Sequence, residues 1–519
     1  MKSKLPKLFV ITTVVAALFV CLAISAGAVD LNQLSYATNK DGTITITDCD
    51  EEAEGVLVIP EAIGGRAVTK IGENAFRNCE HITKITLPST INEIYTHAFY
   101  NCASLEEINI PYGVTVIWRE AFANCSSLKS ISLPDTMTDN NVIHSLFKDC
   151  TSLSQVKLSA GMSSVPGWMF ENCTSLQTVT IPSGVTTIGQ AAFRGSGLTS
   201  ITVPGSVTTI EPSAFNNCAS LKSITLNEGL TTIKDHAFAN CTSLKSIAIP
   251  DSVTTNPNSS IICEGCTSLE TVMIGKGLGT LGAECFNGCT SLRTVYLNSG
   301  LTEIGRDAFN SCPALSDLYY CGTSSQWTSV KLETGNDALL LADVHYIDSF
   351  NDVQTAAWYG PAVFWAVGQN ITNGVGNNAF APTMTCTNAQ VITFLYRAAG
   401  SPAVSGASAL TNVQNPDVYY YNACVWAYQK GIITDVNFAP DGPATRSSFV
   451  TYLWRNEGKP SVSGGNNPFA DVTNGSDYYT AVLWAYKNNI TTGTSATTFS
   501  PDTICSRGQI VTFLYRYFG

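Results

Sequence analysis

Charge is scarce in these 519 residues: 13% are Asp, Glu, Lys or Arg, with 28 basic against 40 acidic side chains and a formal net charge of −12. A sparse, mostly negative surface rich in Thr, Ser and Asn repels phosphates and excludes a nucleic-acid partner. Histidine is scarcer still, at five. His97 and His236 fall in a repeat column that also accepts Asn74, Glu120, Ser145, Trp168 and Asp307. That column reads as exposed and without chemistry, and His81, His144 and His345 have no metal-ligand spacing to one another. G-x-S-x-G, P-loop and H-E-x-x-H motifs are absent, and no carboxylate pair stands out as a glycosidase couple. The sequence is read as that of a non-enzyme without metal or cofactor. After residue 24 no apolar run is long enough to span a membrane.

What is present begins with a leader. Lys2, Lys4 and Lys7 precede an apolar run, Leu8 to Ile24, and Ala26-Gly27-Ala28 supplies small residues of the A-x-A kind. Residues 1–28 are read as a secretory signal peptide cut after Ala28; an uncleaved anchor is disfavoured because the run is short for a span.

A repeat then organises the chain. Cysteines at 79, 102, 125, 150, 173, 218, 241, 266, 289 and 312 are spaced by 23 or 25 residues, with one step of 45 where Arg194-Gly195-Ser196-Gly197-Leu198 lacks a residue and its Cys. Phe stands three before each Cys, except at Cys263, and Leu three after, except at Ile82. A fixed period near 23 predicts a solenoid whose coils bury their apolar side chains against their neighbours. In the coil from Leu176, the inward positions of a short strand are Leu176, Val179 and Ile181, and Pro182 ends it. Val185 and Ile188 form a second inward pair, and Ala192-Phe193 opens a turn-rich or short helical segment. About eleven coils at ~4.8 Å make a rod on the order of 50 Å long. Two coils carry two extra residues each, at Asp139–His144 and Asn256–Ile261, expected to bulge on the turn-rich side. Cys in one column is best read as a small buried hydrophobe with a free thiol, while Cys263, Cys285, Cys321, Cys386, Cys424 and Cys505 stay open. The outward strand residues vary from coil to coil, among them Glu107, Asn109, Lys157 and Thr178. A constant core under a variable face fits a ligand-binding surface, and it equally fits a spacer rod.

The motif Leu-x-x-Ile-x-Ile-Pro-x-x-Val-x-x-Ile-Gly-x-x-Ala-Phe-x-x-Cys resembles the BspA-like leucine-rich repeats, over about Leu57 to Tyr346. The resemblance implies a bacterial surface protein with adhesive relatives and a binding partner that is a host or bacterial protein or glycan. Residues 29–76 are expected to form an N-terminal cap and first coil. Residues 77–346 hold the remaining repeats and a C-terminal cap, with Trp327 covering the last coil.

A second period, near 60, starts at Phe350. Phe350-Asn351-Asp352-Val353 recurs as Leu410-Thr411-Asn412-Val413 and Phe469-Ala470-Asp471-Val472. Tyr359, Tyr420 and Tyr478 each stand six residues before Trp365, Trp426 and Trp484, which places them near one helical stripe. Asn370, Gly431 and Asn489 mark helix ends, and Val391–Arg397, Phe449–Arg455 and Ile510–Arg516 form second helices. These units (350–400, 410–458 and 469–519) resemble three S-layer homology modules. The resemblance implies an all-α pseudo-threefold unit whose grooves hold a secondary wall polysaccharide, pyruvylated, or another peptidoglycan-associated polymer, outside a Gram-positive-type cell. The family's Thr-Arg pair, proposed to meet the pyruvyl carboxylate, maps to Thr445-Arg446 and to Ser506-Arg507, whereas Thr387-Asn388 in module one implies a weakened groove. The three Trp read as core, and the three Tyr as groove-lining residues with a polar tip. The whole reads as a secreted protein held to the wall by its modules and displaying the solenoid for adhesion; the alternative is a structural envelope component with no outside ligand.

Overall fold

The computed structural model describes residues 31–138, 144–254, 261–347, 349–462 and 466–519. The leader and most of both two-residue insertions lie outside these residues. Leu34–Thr38 and Ile44–Cys49 form an antiparallel hairpin that caps the rod, and Ile44–Cys49 then pairs in parallel with Arg66–Ile71. From there a parallel β-solenoid of about 13 coils follows, more than the eleven expected, because stretches such as Asp317–Cys321 and Asp343–Tyr346 keep stacking where the motif fades.

Most described coils carry a strand on one face and a two-residue strand on the next, the latter as at Thr187–Ile188, Thr209–Ile210 and Thr232–Ile233. The third side is turns without helix. Two backbone constraints shape it. The residue before each Cys is left-handed, as at Asn101 (φ 59°) and Asn217 (φ 59°), and Asn tolerates that region where most residues do not. The column holding His97 and His236 is left-handed too, with φ of 54° and 55°.

Inside, the Phe side chains stack ring on ring, with centroids 5.1 to 5.8 Å apart from Phe76 through Phe238. The break at Cys263 is filled by larger neighbours, since Ile262 and Cys285 take positions that are Ala in most coils, and all three are fully buried. In the short coil Ser196, 3% exposed, stands in the Cys column, so the missing residue is the one after it. There Gly197 passes so close that a Cβ would lie 1.9 Å from the Thr174 carbonyl oxygen. The strand expected at Leu176–Ile181 is absent as a ladder: pairing stops after Gln155–Lys157 and resumes at Ser200–Val203, one coil before the shortened turn and on its far side. Leu176 and Ile181 nonetheless point inward and are buried.

The solenoid ends in two short helices, α1 (Ser324–Trp327) and α2 (Asp337–Leu341). Trp327 packs against the core and lies 5.3 Å from Tyr320. The C-terminal unit follows as three helix pairs: α3 (Gly360–Gly368) with α4 (Asn388–Ala398), α5 (Tyr421–Gln429) with α6 (Arg446–Asn456), and α7 (Tyr479–Lys487) with α8 (Arg507–Phe518). The first helices end at left-handed Asn370, Gly431 and Asn489, as their residue types predict.

Candidate functional site

The three helix pairs close into a ring. Packing runs between units: α4 against α5, α6 against α7, and α8 back against α3. At the centre, Cys386 donates its N–H to the Cys505 carbonyl (2.9 Å), Cys505 to Ala444 (2.8 Å) and Ala444 to Cys386 (3.0 Å). All three residues are buried, so this triangle satisfies backbone groups that would otherwise be orphaned.

Around it, each second helix begins beside the next unit's F-x-P turn. Thr445 caps α6 by accepting from the Ser448 N–H (3.2 Å), and Ser506 caps α8 by accepting from Gln509 N–H (3.4 Å). These hydroxyls therefore serve the helix ends. The arginines are enclosed by the protein. Arg446 and Arg507 are only 4% and 3% exposed. Arg446 Nε donates to the Phe499 carbonyl (2.8 Å) and Nη2 to Thr491 (3.4 Å); Arg507 does the same with Phe380 (2.8 Å) and Thr372 (3.1 Å). Their guanidinium groups lie between Phe499 and Phe513, and between Phe380 and Phe394, at 4.7 to 5.3 Å from the ring centres. A weakly hydrated planar cation between aromatic faces is a stable buried arrangement.

The other side of each turn is held by an aspartate. Asp471 accepts from the Phe499 and Ser500 N–H groups (2.8 and 2.7 Å), and Asp352 from Phe380 and Ala381 (2.8 and 2.7 Å). One Phe thus offers its carbonyl to an Arg and its N–H to an Asp. At the remaining interface both charges are gone together. Asn412 donates to the Asn437 and Phe438 carbonyls (3.2 Å each), and Asn388 Nδ2 donates to Ala439 (3.0 Å), with its Oδ1 buried and unpartnered. The departures at Asn388 and Asn412 belong to a single interface.

The tyrosines stand at the N-termini of α3, α5 and α7, half-buried, and the position a Cβ would take on Gly508 is 3.3 Å from Tyr359. The side chains that open to solvent there are their neighbours: Trp358 (61% exposed) packs edge-on against Tyr359 at 5.2 Å, and Tyr419 (62%) against Tyr420 at 5.1 Å. Sequence reading passed these over, although the residue before each Tyr recurs at the same spacing.

On the solenoid, Glu107, Asn109, Lys157 and Thr178 lie on one exposed face. Three of them are tied coil to coil: Glu107 to Lys84 (2.8 Å), Lys157 to Asp135 (3.5 Å), and Asn109 through its amide to both the N–H (2.8 Å) and carbonyl (2.9 Å) of Leu87. Further along, the same outward column turns apolar at Ala248, Met273, Tyr296 and Tyr319, and there the helical unit docks. Lys276 Nζ donates to the Phe350 and Val353 carbonyls (2.7 and 2.8 Å), and Gln369 donates to the Tyr319 hydroxyl (3.0 Å). Gly368 is required: a Cβ would lie 2.3 Å from the Tyr319 ring. The sequence held this signal in the shift from Thr, Ser and Asn to Ala, Met and Tyr along one column.

Among the described residues no helix is long and apolar enough to cross a membrane, and no group of three or more His, Cys, Asp or Glu is placed to hold a metal. No curated protein matches the chain significantly. Among solved structures, a leucine rich cell surface protein of Faecalibacterium prausnitzii is 29% identical, covering 60% of this chain and 100% of that one with a TM-score of 0.38. A leucine-rich repeat protein of Bacteroides ovatus is 27% identical, covering 59% and 89%, also with a TM-score of 0.38. The S-layer homology domain matches residues 349–392 and 468–511, the first and third units, and the middle unit is built from the same helix pair. Both matched families are binding or structural ones, and an S-layer homology domain makes this a cell-surface, wall-associated protein. The BspA type leucine rich repeat region matches 61–143, 140–262 and 259–331, more than half of the sequence, and the chain belongs to that family.

Proposed function

We propose that the helical unit holds the protein non-covalently to a secondary wall polysaccharide of a Gram-positive-type envelope, and that the solenoid displays its free strand face for adhesion to a protein or glycan. The observation that supports this reading is the ring itself, in which the packed pairs Trp358–Tyr359 and Tyr419–Tyr420 stand at the N-termini of α3 and α5 with Trp358 and Tyr419 exposed. The inter-unit boundaries beside them are the proposed polymer-binding clefts, and Tyr478 stands at the equivalent helix N-terminus of the third unit. Thr445, Ser506, Arg446 and Arg507 set the walls; Arg446 and Arg507 Nη1 have no acceptor among the described residues and are the atoms left for a carboxylate on the polymer. The clefts bounded by these arginines are the strong ones, and the cleft beside Asn388 is the weak one.

The test is a pull-down on purified sacculi with and without their secondary polymer. Trp358→Ala with Tyr419→Ala leaves the buried braces intact and is expected to lower binding about tenfold; Arg446→Ala with Arg507→Ala is expected to abolish it. Binding that ignores the polymer would overturn the proposal. A structural role for the rod is favoured by one observation, that Glu107, Asn109 and Lys157 bond along the rod. Self-association of the isolated protein with no saturable ligand on the strand face would decide for it.

A further inference from the structure

The docking of the helical unit on the solenoid leaves a cleft of about 460 Å³ between them. That volume lies within the range of small-ligand sites. The cleft opens where α3, α4 and α8 end, beside Gln369, Ala398 and Phe518, whereas Trp358 and Tyr359 stand at the start of α3. It is therefore a separate place from the clefts proposed to meet the wall polymer.

Its lining has features that a packing gap lacks. Tyr296 is only 5% exposed, and its hydroxyl, which bonds to no described residue, opens onto the cleft. Burial, then Tyr515 and Tyr319, push its pKa well above the usual range, so it stays a protonated donor. The Tyr319 hydroxyl accepts from Gln369 and keeps its own proton to give. Trp365 and Tyr515 meet at 5.6 Å and 53°, an angled aromatic floor. Asp317 and Arg397, of opposite sign, both line the cleft.

We propose that this cleft binds an uncharged oligosaccharide, gripped by the solenoid and the anchor together. A sugar ring has an apolar C–H face to lie on Trp365 and Tyr515, and a rim of hydroxyls that both donate and accept. Opposed charges at the walls cancel for an ionic ligand but serve a polar neutral one. Because both domains line the cleft, the bound sugar also clamps the joint, and the protein's melting temperature rises with ligand concentration.

The experiment is calorimetric titration of the full secreted chain with chitotriose, cellotriose and maltotriose, repeated on Tyr296→Phe and Gln369→Ala. At least one trisaccharide is expected to bind saturably, and Tyr296→Phe, which keeps the ring, to weaken it about tenfold. Sacculus binding by Tyr296→Phe and trisaccharide binding by Trp358→Ala are both expected to match the unaltered protein, which separates this site from the wall-binding reading. Absence of binding by all three sugars, or binding indifferent to Tyr296→Phe, would show that the cleft holds only water.

Discussion

At the scale of single residues, the cysteine column is explained by what its thiols do. Each donates to a carbonyl of the preceding coil, in most cases that of its Phe: Cys102 to Phe76 (3.0 Å), Cys150 to Phe122 (3.1 Å), Cys218 to Phe193 (3.0 Å), and Cys289 to Cys263 where Phe is missing (3.2 Å). A residue small enough for the column that still offers a donor satisfies both demands. All 17 described cysteines are free and buried, including the six that the sequence left open. Burial pushes Cys312 up to about 11 and Cys424 to about 12, so they stay protonated. Alkylation by iodoacetamide is accordingly expected to label none of these thiols in the native state and all of them in denaturant, as read by intact mass. The Phe stack predicts a second outcome. Phe215→Ala removes a ring that is stacked on both sides and fully buried, and is expected to cost about 3–5 kcal/mol in chemical denaturation.

At the scale of elements, the Arg–Phe–Asp clasp decides how the units hold each other. The two interfaces that have it use a buried cation on one side of a turn and a carboxylate on the other, and the third has amides in both places. Restoring both charges with Asn388→Arg and Asn412→Asp is expected to raise the thermal stability of the unit, with each single change gaining less than half. A double-mutant cycle is expected to show a coupling of about 0.5–3 kcal/mol. Acid reports on the clasp as well. Partial burial raises the Asp471 pKa, but the Phe499 and Ser500 N–H groups and the Arg446 charge outweigh it and hold it below 3.8. A carboxyl depressed in the folded state contributes stability above its unfolded pKa and loses it as pH falls through the folded value. The stability difference between the protein and Asp471→Asn is thus expected to be constant near neutrality and to vanish below pH 3.8, followed by thermal melts across that range.

At the scale of the whole molecule, rod and anchor form one continuous object, with Tyr296, Tyr319, Phe364 and Trp365 in a single cluster. Gly368→Ala drives a methyl group into the Tyr319 ring, and is expected to separate one thermal transition into two and to lengthen the particle in small-angle scattering. Much of this was legible beforehand. The period of 23 gave the solenoid because burial alone fixes which side chains repeat, and the left-handed helix ends showed in Asn370, Gly431 and Asn489. The buried state of Arg446 and Arg507 did not show, because a Thr-Arg pair reads the same whether its acceptors come from polymer or from a turn many residues away in the chain. The docking of the two domains was hidden for a similar reason: a handful of apolar residues in an outward column is a weak signal until its partner surface is known. The ring has one last consequence. Its first unit is completed by α8, which also brings Tyr515 to the solenoid. Synthesis delivers α3 well before α8, so the first module must wait, half-assembled, for a helix made after it. Anchor and joint then form in one step.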